Sequence, residues 1–209
     1  MQVAEQLIVE QIQIGPMQNF AYLVGDRTTR EVVVVDPAWD IPGLLGMIEE
    51  RDYTLTGALL THYHPDHCGG SFGHNTVEGV SRLLEHHSVP IYANEHEAAG
   101  VKKVTGISDT DIKKVTSGQK LKIGDIEIEF LHTPGHTPGH VVFFEPESQL
   151  VIVGDVLFQG SIGRTDFPKG DFDTLIRSIR ERLLPLGDEV RFLPGHGPGT
   201  TLGEERRTN

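Results

Sequence analysis

Cysteine, tryptophan and positive charge are all scarce in this chain. Its 209 residues include one cysteine and one tryptophan, and 18 lysines and arginines stand against 30 aspartates and glutamates, a formal net charge of −12 at pH 7. A single cysteine, Cys68, excludes an intrachain disulfide framework and agrees with a reducing compartment, so the expected location is the cytoplasm. Basic residues are scattered apart from short pairs such as Lys102-Lys103 and Lys113-Lys114. No nucleic-acid partner is expected, because phosphate binding needs a basic patch and a surface this acidic repels a polyanion. No apolar run approaches the ~20 residues of a membrane-spanning helix. The opening MQVAEQLIVEQIQ has neither a basic n-region nor a continuous apolar h-region, so it reads as a first strand and not as a signal peptide. No membrane partner is expected either.

What is present is ordinary for a soluble globular chain, 37% hydrophobic and 23% charged. This length supports one substantial core, so residues 1–209 are read as a single domain, with a polar tail from about 200 ordered by docking. Residues 7–14, 20–24 and 31–35 form a meander of strands, followed by a helix at 41–51 and an apolar strand, Leu55 to Leu60, that ends in THYHPDHCGG. Helices near 76–87 and 94–103 flank a short strand at 90–93; strands follow at 120–123, 126–131, 140–145 and 149–153. In DFDTLIRSIRERLL, Phe172, Leu175, Ile176, Ile179 and Leu183 recur at helical spacing behind Asp171 as N-cap, and a last strand, Val190 to Leu193, runs into PGHG. Two sheet-rich halves with helices in each predict an αβ/βα sandwich of two mixed β-sheets flanked by helices.

The chemistry is concentrated in His62-Tyr63-His64-Pro65-Asp66-His67, which packs four potential metal ligands into six residues directly after an apolar strand. Residues i and i+2 at a strand end point the same way. His62 and His64 can therefore grip one metal while the turn at Pro65 sends Asp66 and His67 toward another. Imidazole with carboxylate suits two divalent ions, zinc first and iron or manganese after it, at a spacing of roughly 3.5–4 Å. His136 in LHTPGHTPGH, Asp155 in VIVGDVLF and His196 in RFLPGHG each follow an apolar strand, and a sheet presents its strand ends along one edge.

THYHPDH, TPGHTPGH, GDVLF and PGHG, in this order and spacing, resemble the metallo-β-lactamase superfamily, and within it the type II glyoxalases, or hydroxyacylglutathione hydrolases. GSIGRTDFPKGD at 160–171 and LLPLGDEVRFLPGHGPGTTLGEER at 183–206 look like the short bacterial form without a C-terminal helical domain. The resemblance implies a first metal on His62, His64 and His136, a second on Asp66, His67 and His196, and Asp155 bridging the two. It implies a small-molecule, glutathione-linked thioester such as S-D-lactoylglutathione, with Arg164 as the counterpart of the basic residue that contacts the thiol carrier. A tyrosine expected two residues beyond the last histidine ligand is replaced by Pro198. In this reading a water between two cations is largely hydroxide at neutral pH, Asp66 helps to orient it, and the leaving thiolate needs little protonation. The GRTDF element is also similar to the mononuclear iron persulfide dioxygenases of the same fold, and a catalytically silent metal-binding protein is the third reading.

Other residues take plainer roles. Cys68 reads as a small packing residue, His132 as structural, and His140 as a support for the ligands around it. His86, His87 and His96 read as solvated, Trp39 as packing, and Asp36 as a turn cap before Pro37 in preference to a support behind the histidine cluster.

Overall fold

The computed structural model describes residues 6–72 and 74–209. Fifteen strands and six helices are defined among them. β1 (Leu7–Ile14), β2 (Asn19–Asp26), β3 (Glu31–Val35) and β4 (Thr54–Leu59) are followed by β5 (Gly70–Phe72), β6 (Asn75–Val77), β7 (Ile91–Asn94) and β8 (Ile112–Val115). The second half holds β9 (Lys120–Ile123), β10 (Ile126–His132), β11 (Val141–Glu145), β12 (Leu150–Gly154), β13 (Leu157–Phe158), β14 (Ser161–Ile162) and β15 (Arg191–Pro194). The helices are α1 (Ile41–Glu50), α2 (Pro65–Cys68), α3 (Val80–His86), α4 (Ala98–Thr105), α5 (Phe172–Ser178) and α6 (Leu202–Thr208).

One mixed sheet has the order β1-β2-β3-β4-β7-β8 and the other β15-β12-β11-β10-β9. The period-two alternation of strand side chains assigns residues to layers. Val33 and Val35 enter the core between the sheets, with Tyr22, Ile128, Phe130, Phe143 and Ile152. Val34 faces the other way, onto Leu44 and Ile48 of α1, Leu83 of α3 and Val101 of α4. On the second sheet, Val151 and Val153 turn outward onto Leu175, Ile179, Leu183 and Leu202. Four layers result, helices outside and sheets inside, because each strand has two apolar faces to bury.

Several boundaries differ from the sequence reading. The helix anticipated near 76–87 begins only at Val80, because Asn75–Val77 pairs with Gly70–Phe72 as a hairpin. The helix expected at 94–103 starts at Ala98 after a turn, since Ile91–Asn94 is held in the sheet by β4 and β8. Strand β8, with two exposed lysines at its centre, carries too weak an apolar pattern to be foreseen. Asp171 does cap α5, accepting from Thr174 N, and the chain continues as a π-helical turn over Ile179–Leu183. The polar tail is a helix capped by Thr201 and anchored by buried Leu202 and Glu205. Among the described residues no helix is long and apolar enough to cross a membrane.

Candidate metal centre

β3 runs parallel to β4 in one sheet and β12 parallel to β15 in the other, so each pair ends together at one edge of its own sheet. The segments that leave those ends carry Asp36, His62 to His67, Asp155 and His196. β11 is antiparallel to β12, which brings the loop before it, with His136 and His140, to that edge as well.

All seven residues singled out as metal ligands converge there. His62, His64 and His136 form one group able to hold an ion and Asp66, His67 and His196 another. His64 Nδ1 lies 3.1 Å from His136 Nε2. In the second group Asp66 Oδ2 is 3.4 Å from His67 Nε2 and 3.5 Å from His196 Nε2. Asp155 stands between them, with Oδ1 3.5 Å from His67 Nε2 and Oδ2 3.8 Å from His136 Nε2 and 3.7 Å from His196 Nε2.

The hydrogen bonds behind the imidazoles decide which nitrogen faces the centre. Thr61 Oγ1 donates to Asp36 Oδ2 at 2.6 Å, so it can accept from His62 Nδ1 at 2.9 Å. His67 Nδ1 donates to Asp36 Oδ2 at 3.0 Å, His136 Nδ1 to the Arg164 carbonyl at 2.7 Å and His196 Nδ1 to the Met17 carbonyl at 3.3 Å. In all four, Nε2 is left pointing inward. Fixing a ring through its outer nitrogen is how proteins orient metal-binding histidines. Two inward atoms, His62 Nε2 and Asp155 Oδ1, are buried with no hydrogen-bond partner. An orphaned buried polar atom costs about 1–3 kcal/mol, and an ion shared by this donor set relieves both. The residues therefore fit divalent metals of the zinc or iron kind.

Burial pushes the His62 and His136 imidazoles down, His62 well below its ordinary value, and takes His64 to about 4, which keeps them neutral as metal ligands must be. Burial opposes ionisation of Asp155, but the imidazoles of His67, His196 and His136 outweigh it and hold the carboxyl well below its usual range. Asp66 is lowered against burial in the same way, by His196, His67 and Asn19. His67 is raised well above its ordinary value, burial being overcome by Asp155, Asp36 and Asp66.

Asp36 is not a turn cap. Its buried carboxylate accepts from Thr61 N, Thr61 Oγ1 and His67 Nδ1, so it braces the ligand loop from behind. His140 has both nitrogens engaged: Nε2 accepts from Asp155 N at 3.2 Å, which leaves Nδ1 to meet Thr133 Oγ1 at 3.3 Å. Gly154 makes this approach possible. Its φ is +50°, and a Cβ there would lie 2.8 Å from both His140 Nε2 and Thr61 Cβ. Cys68 is fully buried with Sγ toward the Tyr63 carbonyl, and Trp39 packs on Gly15 while donating to the Asp66 carbonyl. His132 caps the Pro138 carbonyl.

Two residues at the centre carry no local signal in the sequence. Asn19 Nδ2 donates to the Asp66 carbonyl at 3.1 Å and to Asp66 Oδ2 at 3.0 Å. Fully buried Glu97 accepts from Tyr63 N at 2.9 Å and from Gly139 N at 2.6 Å, tying the loop of His62 and His64 to the loop of His136. The centre opens into a cavity of about 1090 Å³ lined by Tyr63, Gly100, Phe158, Arg164 and Phe167 among others. His96, read as solvated, is on this wall too. Arg164 meets Asp166 through two hydrogen bonds of 2.9 and 2.7 Å and lies over the Phe167 ring.

Residues 14–196 match the family model of the metallo-beta-lactamase superfamily. The chain belongs to that superfamily. This makes it a metal-dependent hydrolase by family and agrees with the two facing clusters. It is 38% identical to the hydroxyacylglutathione hydrolase GloC of Haemophilus influenzae, over 96% of each chain. Among solved structures it resembles ETHE1 from Myxococcus xanthus, with a TM-score of 0.81 and 29% identity over 97% of this chain and 83% of that one. It also resembles TTHA1623 in a di-iron-bound form, with a TM-score of 0.79 and 36% identity over 96% of this chain and 98% of that one.

Proposed function

We propose that the protein hydrolyses a hydroxyacylglutathione thioester, such as S-D-lactoylglutathione, to the free thiol and the hydroxy acid. The observation that carries this reading is the geometry of the cavity floor, where the group of His62, His64 and His136 faces the group of Asp66, His67 and His196 across Asp155. The two carboxylates that line the cavity, Asp66 and Asp155, lie within 3.8 Å of the ligand imidazoles and would be engaged by the metals, which leaves neither to protonate a leaving group. A thioester needs none, because a thiol of pKa ~8.5 departs readily as thiolate, whereas an amide nitrogen would need a general acid. The similarity to GloC supports the same substrate class.

His62, His64 and His136 would hold one metal, Asp66, His67 and His196 the other, and Asp155 would bridge them. When bound, the two ions lower the pKa of water toward ~7 and polarise the carbonyl. The chain's own part is geometric. Asp66, fixed through Asn19, offers a carboxylate oxygen that accepts a hydrogen bond from the attacking water or hydroxide and so orients its lone pair toward the thioester carbon. The carbon–oxygen bond forms, the carbon–sulfur bond breaks, and the electron pair leaves on sulfur.

Thiol release from S-D-lactoylglutathione by zinc-loaded protein, together with metal content, tests the reading. About two equivalents of metal with hydrolysis are expected. The GRTDF element supports the second reading, a persulfide dioxygenase; one iron per chain with oxygen uptake on glutathione persulfide and no thioester cleavage would establish it in place of the first.

A further inference from the structure

Three cations line the cavity: Lys103, Arg164 and Lys169. Their states differ. The Arg164 guanidinium is already neutralised by Asp166 and stacked on Phe167. Lys103 and Lys169 are exposed, and among the described residues neither makes an ion pair or a side-chain hydrogen bond. The adjacent Lys102, by contrast, does not line the cavity and pairs with Asp109.

The fold directs both lysines to the cavity mouth. Ala99, Gly100 and Lys103 are spaced i, i+1 and i+4 on α4 and line the cavity, and His96 in the turn before the helix continues the same wall. Gly100 lets that wall close on the ligand loop, since a Cβ there would lie 2.6 Å from Tyr63 Cγ. Ala99 and Gly100 leave space, and Lys103 reaches past them. Lys169 ends the loop that follows the β13–β14 hairpin, held by a hydrogen bond of 2.9 Å from Gly170 N to the Phe167 carbonyl. Its φ is +72°, a left-handed conformation that a lysine adopts only at a cost.

We propose that Lys103 and Lys169 form the recognition site for the carboxylates of the thiol carrier. This rests on the thioesterase reading above. On a protein of net charge −12, with Asp66 and Asp155 at the cavity floor, an anionic carrier is repelled unless unpaired positive charge meets it at the mouth. Lysine suits this task. A compact ammonium on a flexible stem follows two separated carboxylates without the planar geometry that a guanidinium demands.

The test is calorimetric titration of zinc-loaded protein with S-methylglutathione, which cannot be hydrolysed, and with its dimethyl ester, which lacks both carboxylates. Lys103→Ala and Lys169→Ala are each expected to weaken S-methylglutathione roughly 5-fold, and the double variant roughly 25-fold, the range of a partly exposed ion pair and additive for separate groups. Affinity for the dimethyl ester should not change with either substitution, and the Lys102→Ala control should bind both as the wild type does. No binding of S-methylglutathione by the wild type, undiminished binding by the double variant, or an equal loss for the ester would each overturn the proposal. Weakened binding in the variants without any wild-type thioester cleavage would keep the lysine site and sink the thioesterase reading. Cleavage of S-D-lactoylglutathione with KM unchanged in the double variant would do the reverse.

Discussion

Replacing Glu97 by Gln should weaken metal binding although Glu97 itself touches no metal ligand. Its two carboxylate oxygens each accept a backbone N–H, one from Tyr63 and one from Gly139. Glutamine keeps one acceptor and turns an NH₂ toward the other donor, leaving a buried N–H unpaired at about 1–3 kcal/mol. Melting temperature should fall by about 2–4 °C for each kcal/mol in a domain of this size. Stability alone would not separate a positioning role from packing. The loops joined by Glu97 carry His62 and His64 on one side and His136 on the other, and loss of an orienting contact of this kind costs roughly 10–100-fold in metal affinity. Zinc at about 100 times its dissociation constant stabilises the folded state by about 2.7 kcal/mol, and a 10-fold weaker site forfeits about 1.4 kcal/mol of that. The assay is thermal unfolding with chelator and with zinc, alongside competition with a zinc-binding dye. The variant should lose stability in chelator and, in addition, part of the increment that zinc confers. An unchanged increment and an unchanged dye competition would refute the positioning role of Glu97, whatever the drop in chelator.

Three other outcomes are expected. Asp155→Ala should abolish hydrolysis and lower zinc content at both positions, since its oxygens lie within 3.8 Å of histidines in both groups; full zinc content by atomic absorption would count against bridging. Cys68 is fully buried, so it should resist a thiol reagent in native buffer and react in urea, while Cys68→Ala keeps its metal content; fast native labelling would show the thiol to be accessible. Gly100→Ala places a methyl group against the Tyr63 ring and should cost about 1–3 kcal/mol through forced separation of α4 from the ligand loop, read by urea denaturation.

Much of the candidate site is legible in the sequence because the proposed ligands follow the chemistry of strand ends. An apolar run stops, and a histidine or aspartate follows, at His62, Asp155 and His196. The supporting layer is not legible. Asn19 reaches Asp66 across 47 residues, and Glu97 reaches Tyr63 and Gly139 across 34 and 42, with no periodicity to connect them. Each sits where tertiary packing brings an element, and only that packing gives the side chain its partner. Asp36 was ambiguous for a related reason: an aspartate before proline suits a turn cap, and nothing local says that Thr61 and His67 will fold back onto it. Strand β8 was hidden by its exposed lysines, since it is held by the parallel ladder with β7 more than by an apolar face.

The two ligand groups also bear on how the halves of the molecule are joined. Each draws on both sheets: His62 and His64 leave the first and His136 precedes a strand of the second, while Asp66 and His67 come from the first and His196 from the second. An ion at either position is thus a cross-link between layers whose shared interior is otherwise apolar and nondirectional. It sets the register of one sheet edge against the other in the way a rivet fixes two plates, at the rim where the apolar core ends. With ions held at both positions, catalysis and assembly would draw on the same bonds, and their removal would leave the halves packed together but that edge less constrained.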